Sequence, residues 1–195
     1  MKIPSLKLPE KLEPYRGVIG FAVVLLLSNW FWKYNVFGDE EGSSVSFWGM
    51  DISAPFVFMA KHSATLAVHI LQYLGWNVTL DSLNVFHLAT GFTVQVVWAC
   101  TGLKQAYITF CILAFSQGPW QKKLWYIPLA LFVVYLFNIF RITFIIGACD
   151  QHPDWFHFLH IRLFKYLFYA IIFGMWVFWE EKIVIQKKVN EAPVK

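Results

Sequence analysis

The segment WACTGLKQAY, residues 98–107, sets a thiol beside a cation. Cys100 and Lys104 stand one helical turn apart, with Thr101 and Gly102 between them. A cysteine is a nucleophile as its thiolate, and neighbouring cations favour that form. Backbone N–H groups around Thr101 and Gly102, at the start of a helix, would stabilise an oxyanion. Two later stretches carry groups that complete such chemistry. NIFRI, residues 138–142, places Asn138 and Arg141 three residues apart on one helix face, where the amide can orient the guanidinium. FHFLHIRLF, residues 156–164, contributes His157, His160 and Arg162. An imidazole titrates near neutral pH, so His160 suits general acid–base work.

Each of these residues also has a plainer reading. A buried cysteine is usually a small inert hydrophobe, and Arg141 could snorkel or cap carbonyls. Yet an arginine near a helix centre costs about 2.5–3.5 kcal/mol on insertion scales, which favours a wet cavity or a partner. Cys111 reads as packing, whereas Cys149 is a rival disulfide partner for Cys100. His152 competes with His157 and His160 in the same stretch, and Asp150 or Asp154 could orient a histidine. His157 and His160 have metal-ligand spacing but lack a third ligand, so no metal is expected.

These groups sit in an unusually apolar chain. Of 195 residues, 58% are hydrophobic and 14% charged, against about 25% charged in soluble domains. Long apolar runs then imply an all-α integral membrane protein of one domain, residues 1–195. Its tryptophans and tyrosines are suited to the bilayer interfaces. The net charge of +4 forms no continuous basic surface, so no nucleic-acid partner is expected. Four spans are expected, at 17–37, 98–118, 124–148 and 162–180. Residues 52–75 carry Lys61, His62, Thr65, His69 and Gln72 along one stripe, which predicts an amphipathic interfacial or re-entrant helix. Residues 83–97 alternate around Ala-Thr-Gly and predict a small β-hairpin outside the bilayer. GDEEGSS, residues 38–44, reads as an acidic flexible loop, and PWQKK, residues 119–123, as a tight basic turn.

Orientation follows from the lysines and arginines. Lys2, Lys7, Lys11 and Arg16 precede the first apolar run, and Lys182, Lys187 and Lys188 follow the last. Both tails and the QKK turn then face the cytoplasm. Cys100 falls at the outer face, and parity requires that 52–75 does not cross. Arg141 lies seven residues before the outer end of its span, roughly 10 Å deep at about 1.5 Å per residue. His157 and His160 precede the last span on the same side. Thiol, guanidinium and imidazole thus reach one membrane depth from three separate stretches.

The order of WACTGLK, NIFRI and a histidine before the aromatic HIRLFKYLFY resembles the exosortase/archaeosortase family, over roughly residues 75–180. The chain is similar to the compact members, without the extra N-terminal helices of longer ones. The resemblance implies a membrane cysteine protease/transpeptidase in the cell (inner) membrane, with no cofactor. It implies catalytic roles for Cys100, Arg141 and His160, with Lys104, Asn138, His157, Arg162, Thr101 and Gly102 as supporting or alternative residues. Arg162 stays in play because archaeosortases can use arginine at the third position. Its implied partners are an exported protein ending in a hydrophobic segment and basic tail, a lipid or saccharide acceptor, and membrane lipids. Two other readings remain: a four-helix thiol-redox protein using Cys100 and Cys149, and a non-enzymatic assembly or transport factor.

Overall fold

The computed structural model describes residues 15–39 and 44–185. Most of both basic tails, and residues 40–43 of the acidic loop, lie outside the described residues. Among the described residues, four helices are long and apolar enough to cross a membrane: α1 (Arg16–Asn35), α2 (Ser53–Tyr73), α4 (Trp120–Gln151) and α5 (Trp155–Ile185). A shorter apolar helix, α3 (Leu103–Phe115), lies between α2 and α4.

The number of long helices matches the expectation, but one member of the set differs. The stretch 98–118 forms a single 3₁₀ turn at Trp98–Cys100, a left-handed Gly102 and a helix of 13 residues. That helix is about 20 Å long at 1.5 Å per residue, short of a hydrocarbon core of about 30 Å. The 52–75 stretch, by contrast, makes a helix of 21 residues. Asp51 starts it by accepting from the Ser53 backbone N–H at 2.8 Å.

α2 packs along the second half of α4, where His62 Nε2 lies 2.8 Å from the Tyr135 hydroxyl. Near its start, Phe56 packs with Val36, Val45 and Trp98. Near its finish, Leu71 lies against Gly147, late in α4. Ala60, Ala64 and Ala67 provide the small residues that let the helix approach its neighbours closely.

α1 runs antiparallel to α3. Phe21, Val24 and Leu25 meet Ile108 and Ile112 late in α3, while Trp32 packs on Tyr107 nearer its start. The rest of α1 is nearly unburied, with Leu26, Leu27 and Trp30 exposed. In a membrane helix such a surface faces lipid. α4 and α5 are joined by rings: Phe137 meets Phe168 edge-on at 4.8 Å, and Phe164 packs beside Phe140 and Phe144. At the far end, Tyr126 donates to the Met175 carbonyl at 2.7 Å. The basic turn is tied down there too. Lys123 is buried, and its ammonium caps α3 by donating to the Ala114 and Ser116 carbonyls at 2.7 and 2.5 Å.

Two three-stranded antiparallel sheets cover the other end. The first, β1 (Val36–Gly38), β2 (Val45–Phe47) and β3 (Met50–Asp51), brackets the acidic loop, so strands flank what reads as loop in the sequence. The second is β4 (Val78–Asp81), β5 (Asn84–His87) and β6 (Thr93–Gln95). β5 and β6 are the expected hairpin, in the register Val85 to Val94, and β4 extends it. Val78, Val85 and Val94 point inward beside Ile142 and Ile146 of α4. A histidine–carboxylate contact clamps this sheet to the end of α4: His87 Nδ1 lies 3.1 Å from Asp150, which also accepts from Thr90.

Candidate active site

The chain turns sharply where the thiol sits. Trp98–Cys100 is one 3₁₀ turn, closed by the Cys100 N–H donating to the Val97 carbonyl at 2.8 Å. The Thr101 hydroxyl donates back to the Trp98 carbonyl at 2.7 Å. Gly102 then takes φ +76°, a left-handed conformation that a side chain strains. A Cβ there would also meet Asn138 Cγ at 2.9 Å, so conformation and space both demand glycine. Trp98 anchors the turn to the first sheet, its ring flat against Gly38 and its indole N–H on the Asp39 carbonyl at 3.2 Å.

α4 supplies the two polar groups of NIFRI to this turn. Asn138 is 1% exposed and donates its amide N–H to the Cys100 carbonyl at 3.0 Å. Arg141, one turn on, is 6% exposed; its charge acts on the Cys100 thiol and the His160 imidazole. The guanidinium lies over the Phe168 ring at 5.5 Å. Burying an arginine this deeply is tolerable because the ring receives it and it borders a cavity. Among the described residues, Arg141 Nε and Asn138 Oδ1 have no hydrogen-bond partner.

α5 supplies the imidazole from an unusual backbone. Phe158–Leu163 is a π-helical segment, and widened turns of this kind often mark functional sites. His160 lies within it, stacked on Phe156 at 5.2 Å. Its Nε2 is 3.6 Å from Cys100 Sγ. Of the three histidines between 152 and 160, this is the one at the thiol. His157 is exposed, and His152 stacks on Trp155. Arg162 is exposed and does not line the cavity beside Cys100.

That cavity, about 270 Å³, is walled by Ala99, Lys104, Arg141, His160, Lys165 and Phe168. Gln105 and Tyr169 line it too and, with Lys165, were not singled out by the sequence. Ile161, Lys165, Phe168 and Tyr169 stand at i, i+4, i+7 and i+8, one face of α5 and a stripe obscured by the uniformly aromatic surroundings. All three cysteines are free thiols. Cys149 packs with Ile145, Leu159 and Phe164, in a cluster apart from the one holding Cys100, and Cys111 is buried in α3.

A thiol with an imidazole at hydrogen-bonding range and a buried guanidinium beside both is suited to acyl transfer. Comparison with known families points the same way: the model described as transmembrane exosortase matches residues 43–179. The chain belongs to the transmembrane exosortase family. The match contains Cys100 and every residue that lines the cavity beside it, from Ala99 to Tyr169. Exosortase membership makes this a multi-pass membrane protein among sortase-like transpeptidases. No curated protein and no solved structure matches the chain.

Proposed function

We propose that this exosortase family member is a cysteine transpeptidase that removes C-terminal sorting signals from exported proteins and passes the new carboxyl end to an acceptor. The single observation that carries the reading is the 3.6 Å approach of His160 Nε2 to Cys100 Sγ beside Arg141. Cys100, as thiolate, attacks the scissile carbonyl, forming a C–S bond and a tetrahedral oxyanion. Arg141, whose buried Nε bonds no described residue, donates to that oxyanion. His160 protonates the departing amine as the C–N bond breaks, leaving a thioester. An acceptor hydroxyl or amine then attacks the thioester carbonyl, His160 takes its proton, and the thiolate leaves. Asn138, Thr101 and Gly102 hold the turn, while Lys104 adds positive charge beside the cavity.

The proposed site faces the extracytoplasmic side of the cell membrane, with both termini in the cytoplasm. In that arrangement α2 lies along the outer end of the bundle. The contact of its last turn, through Leu71, with Gly147 late in α4 supports the placement. Substrates would be exported proteins whose C-terminal hydrophobic segment and basic tail hold them in the bilayer.

Mass spectrometry of exported-protein C-termini tests this in cells carrying wild type or Cys100→Ala at equal expression. Loss of a hydrophobic tail only with wild type is the expected result, and the mass added at the new terminus identifies the acceptor. Identical termini in both strains overturn it.

A further inference from the structure

A second cavity, also about 270 Å³, lies on the other side of Lys104. Trp32, Phe56 and Trp98 wall it, and Lys33, whose ammonium lies 5.8 Å over the Tyr34 ring, and Lys104 line it too. Ala99 and Lys104 line both cavities, so the two share a wall next to Cys100. Lys33 lines this cavity, Lys165 lines the first and Lys104 lines both, so three cationic side chains gather around the shared wall. Among the described lining residues of either cavity there is no aspartate or glutamate. None of the three lysines forms a salt bridge with a described residue.

Like charges gathered without a counter-ion repel one another, and an anion entering between them relieves that repulsion. The remaining walls define what carries the anion. They are aromatic, and Trp30 and Tyr34 stand exposed nearby on α1, whose outward surface is apolar. Amphipathic rings of this kind sit at headgroup level. A freely soluble phosphate would gain nothing from such walls, whereas a lipid places its charge and its chains where the lysines and the rings are.

We infer that the cavity between Lys33 and Lys104 binds the phosphate headgroup of an anionic lipid and holds that lipid beside the Cys100 site. This rests on the transpeptidase reading only for its consequence, namely that a lipid seated there is positioned as the acceptor. Its hydroxyl or amine would attack the thioester from the Ala99 side. The C–O or C–N bond forms as the C–S bond breaks, and the proton passes to His160.

The test separates binding from catalysis by using the full-length Cys100→Ala protein. It is reconstituted in phosphatidylcholine vesicles containing phosphatidylglycerol with a photoreactive acyl chain. After irradiation, labelled peptides are mapped by mass spectrometry. Labelling is expected in the segments carrying Trp32, Phe56 and Trp98, displaced by unlabelled phosphatidylglycerol but not by inorganic phosphate. Lys33→Gln and Lys104→Gln should each weaken it about fivefold, the factor one cation contributes at an anionic surface. Lys122→Gln, an exposed lysine of the basic turn, should leave it unchanged. Equal labelling by a photoreactive phosphatidylcholine, or labelling insensitive to both variants, overturns the inference, as does displacement by inorganic phosphate. If labelling fails while wild type still trims C-termini, the lipid site falls and the transpeptidase stands.

Discussion

Asn138 donates its side-chain amide to the Cys100 carbonyl at 3.0 Å, so the helix that carries Arg141 also holds the turn that carries the thiol. One hydrogen bond therefore sets the position of the nucleophile relative to the cation. Replacing Asn138 by Ala leaves a buried carbonyl unpaired and should cost about 1–3 kcal/mol of stability. Because a small displacement of a reacting group can cost about 10²-fold in rate, the loss of activity should exceed what reduced folding explains. Thermal unfolding of the purified protein, paired with C-terminal trimming per folded molecule, checks both. Activity that falls only in proportion to folded protein would reduce Asn138 to a packing role.

Gly102 faces the same amide. With φ at +76° and a Cβ that would come within 2.9 Å of Asn138 Cγ, Gly102→Ala strains the backbone and pushes Asn138 away together. The expected loss is above about 1 kcal/mol, larger than for an alanine replacing an unstrained glycine. In Asn138→Ala the contacts with Cγ and Nδ2 disappear and only that with Cβ at 3.1 Å stays, so the double variant should lose less than the sum of the singles. Strict additivity in chemical or thermal unfolding would show that the two residues do not meet.

Much of this site is legible in the chain, for physical reasons that differ by residue. Arg141 declares itself because a buried charge is expensive, and Gly102 because it stands beside the cysteine where backbone N–H groups can approach an oxyanion, although the left-handed turn it makes is not read there. His160 does not separate from His157 in sequence. The choice is made by the π-helical segment Phe158–Leu163, which re-aims the residues it contains and leaves no mark in hydrophobic periodicity. The start of α3 is hidden for a related reason: WAC is apolar enough to read as helix, yet it turns. β1, β2 and β3 are two or three residues long, too short for alternation to register. Lys123 counts as surface charge in a topology argument but is spent on the end of α3.

The histidines give a sharp comparison. His160→Ala should lower trimming by about 10²–10⁴-fold, the usual contribution of a positioned acid–base group. His157→Ala and Arg162→Gln should stay within about threefold of wild type, since neither side chain lines the cavity, and a threefold change is under 1 kcal/mol of barrier. The same three variants can be read without substrate by following alkylation of Cys100 with iodoacetamide as pH varies. Only His160→Ala should alter that profile. A change of equal size in His157→Ala or Arg162→Gln would move the third catalytic role to that residue.

The placement of α2 decides which side of the membrane the second sheet occupies. Its first turn reaches Trp98, His62 in its middle lies 2.8 Å from the Tyr135 hydroxyl halfway along α4, and Leu71 in its last turn reaches Gly147, so its 21 residues follow the second half of α4. Introduced cysteines at exposed positions test this, in a protein whose Cys100, Cys111 and Cys149 are replaced by alanine. Trp48→Cys precedes α2, Tyr73→Cys ends it, and Lys122→Cys marks the opposite end of the bundle. A membrane-impermeant maleimide added to intact cells should label Trp48→Cys and Tyr73→Cys alike, and Lys122→Cys only after permeabilisation. Labelling of Tyr73→Cys that needs permeabilisation would mean that α2 crosses. β4 would then begin on the cytoplasmic side, and the contacts of Val78 and Val85 beside Ile142 and Ile146 could not hold in the membrane.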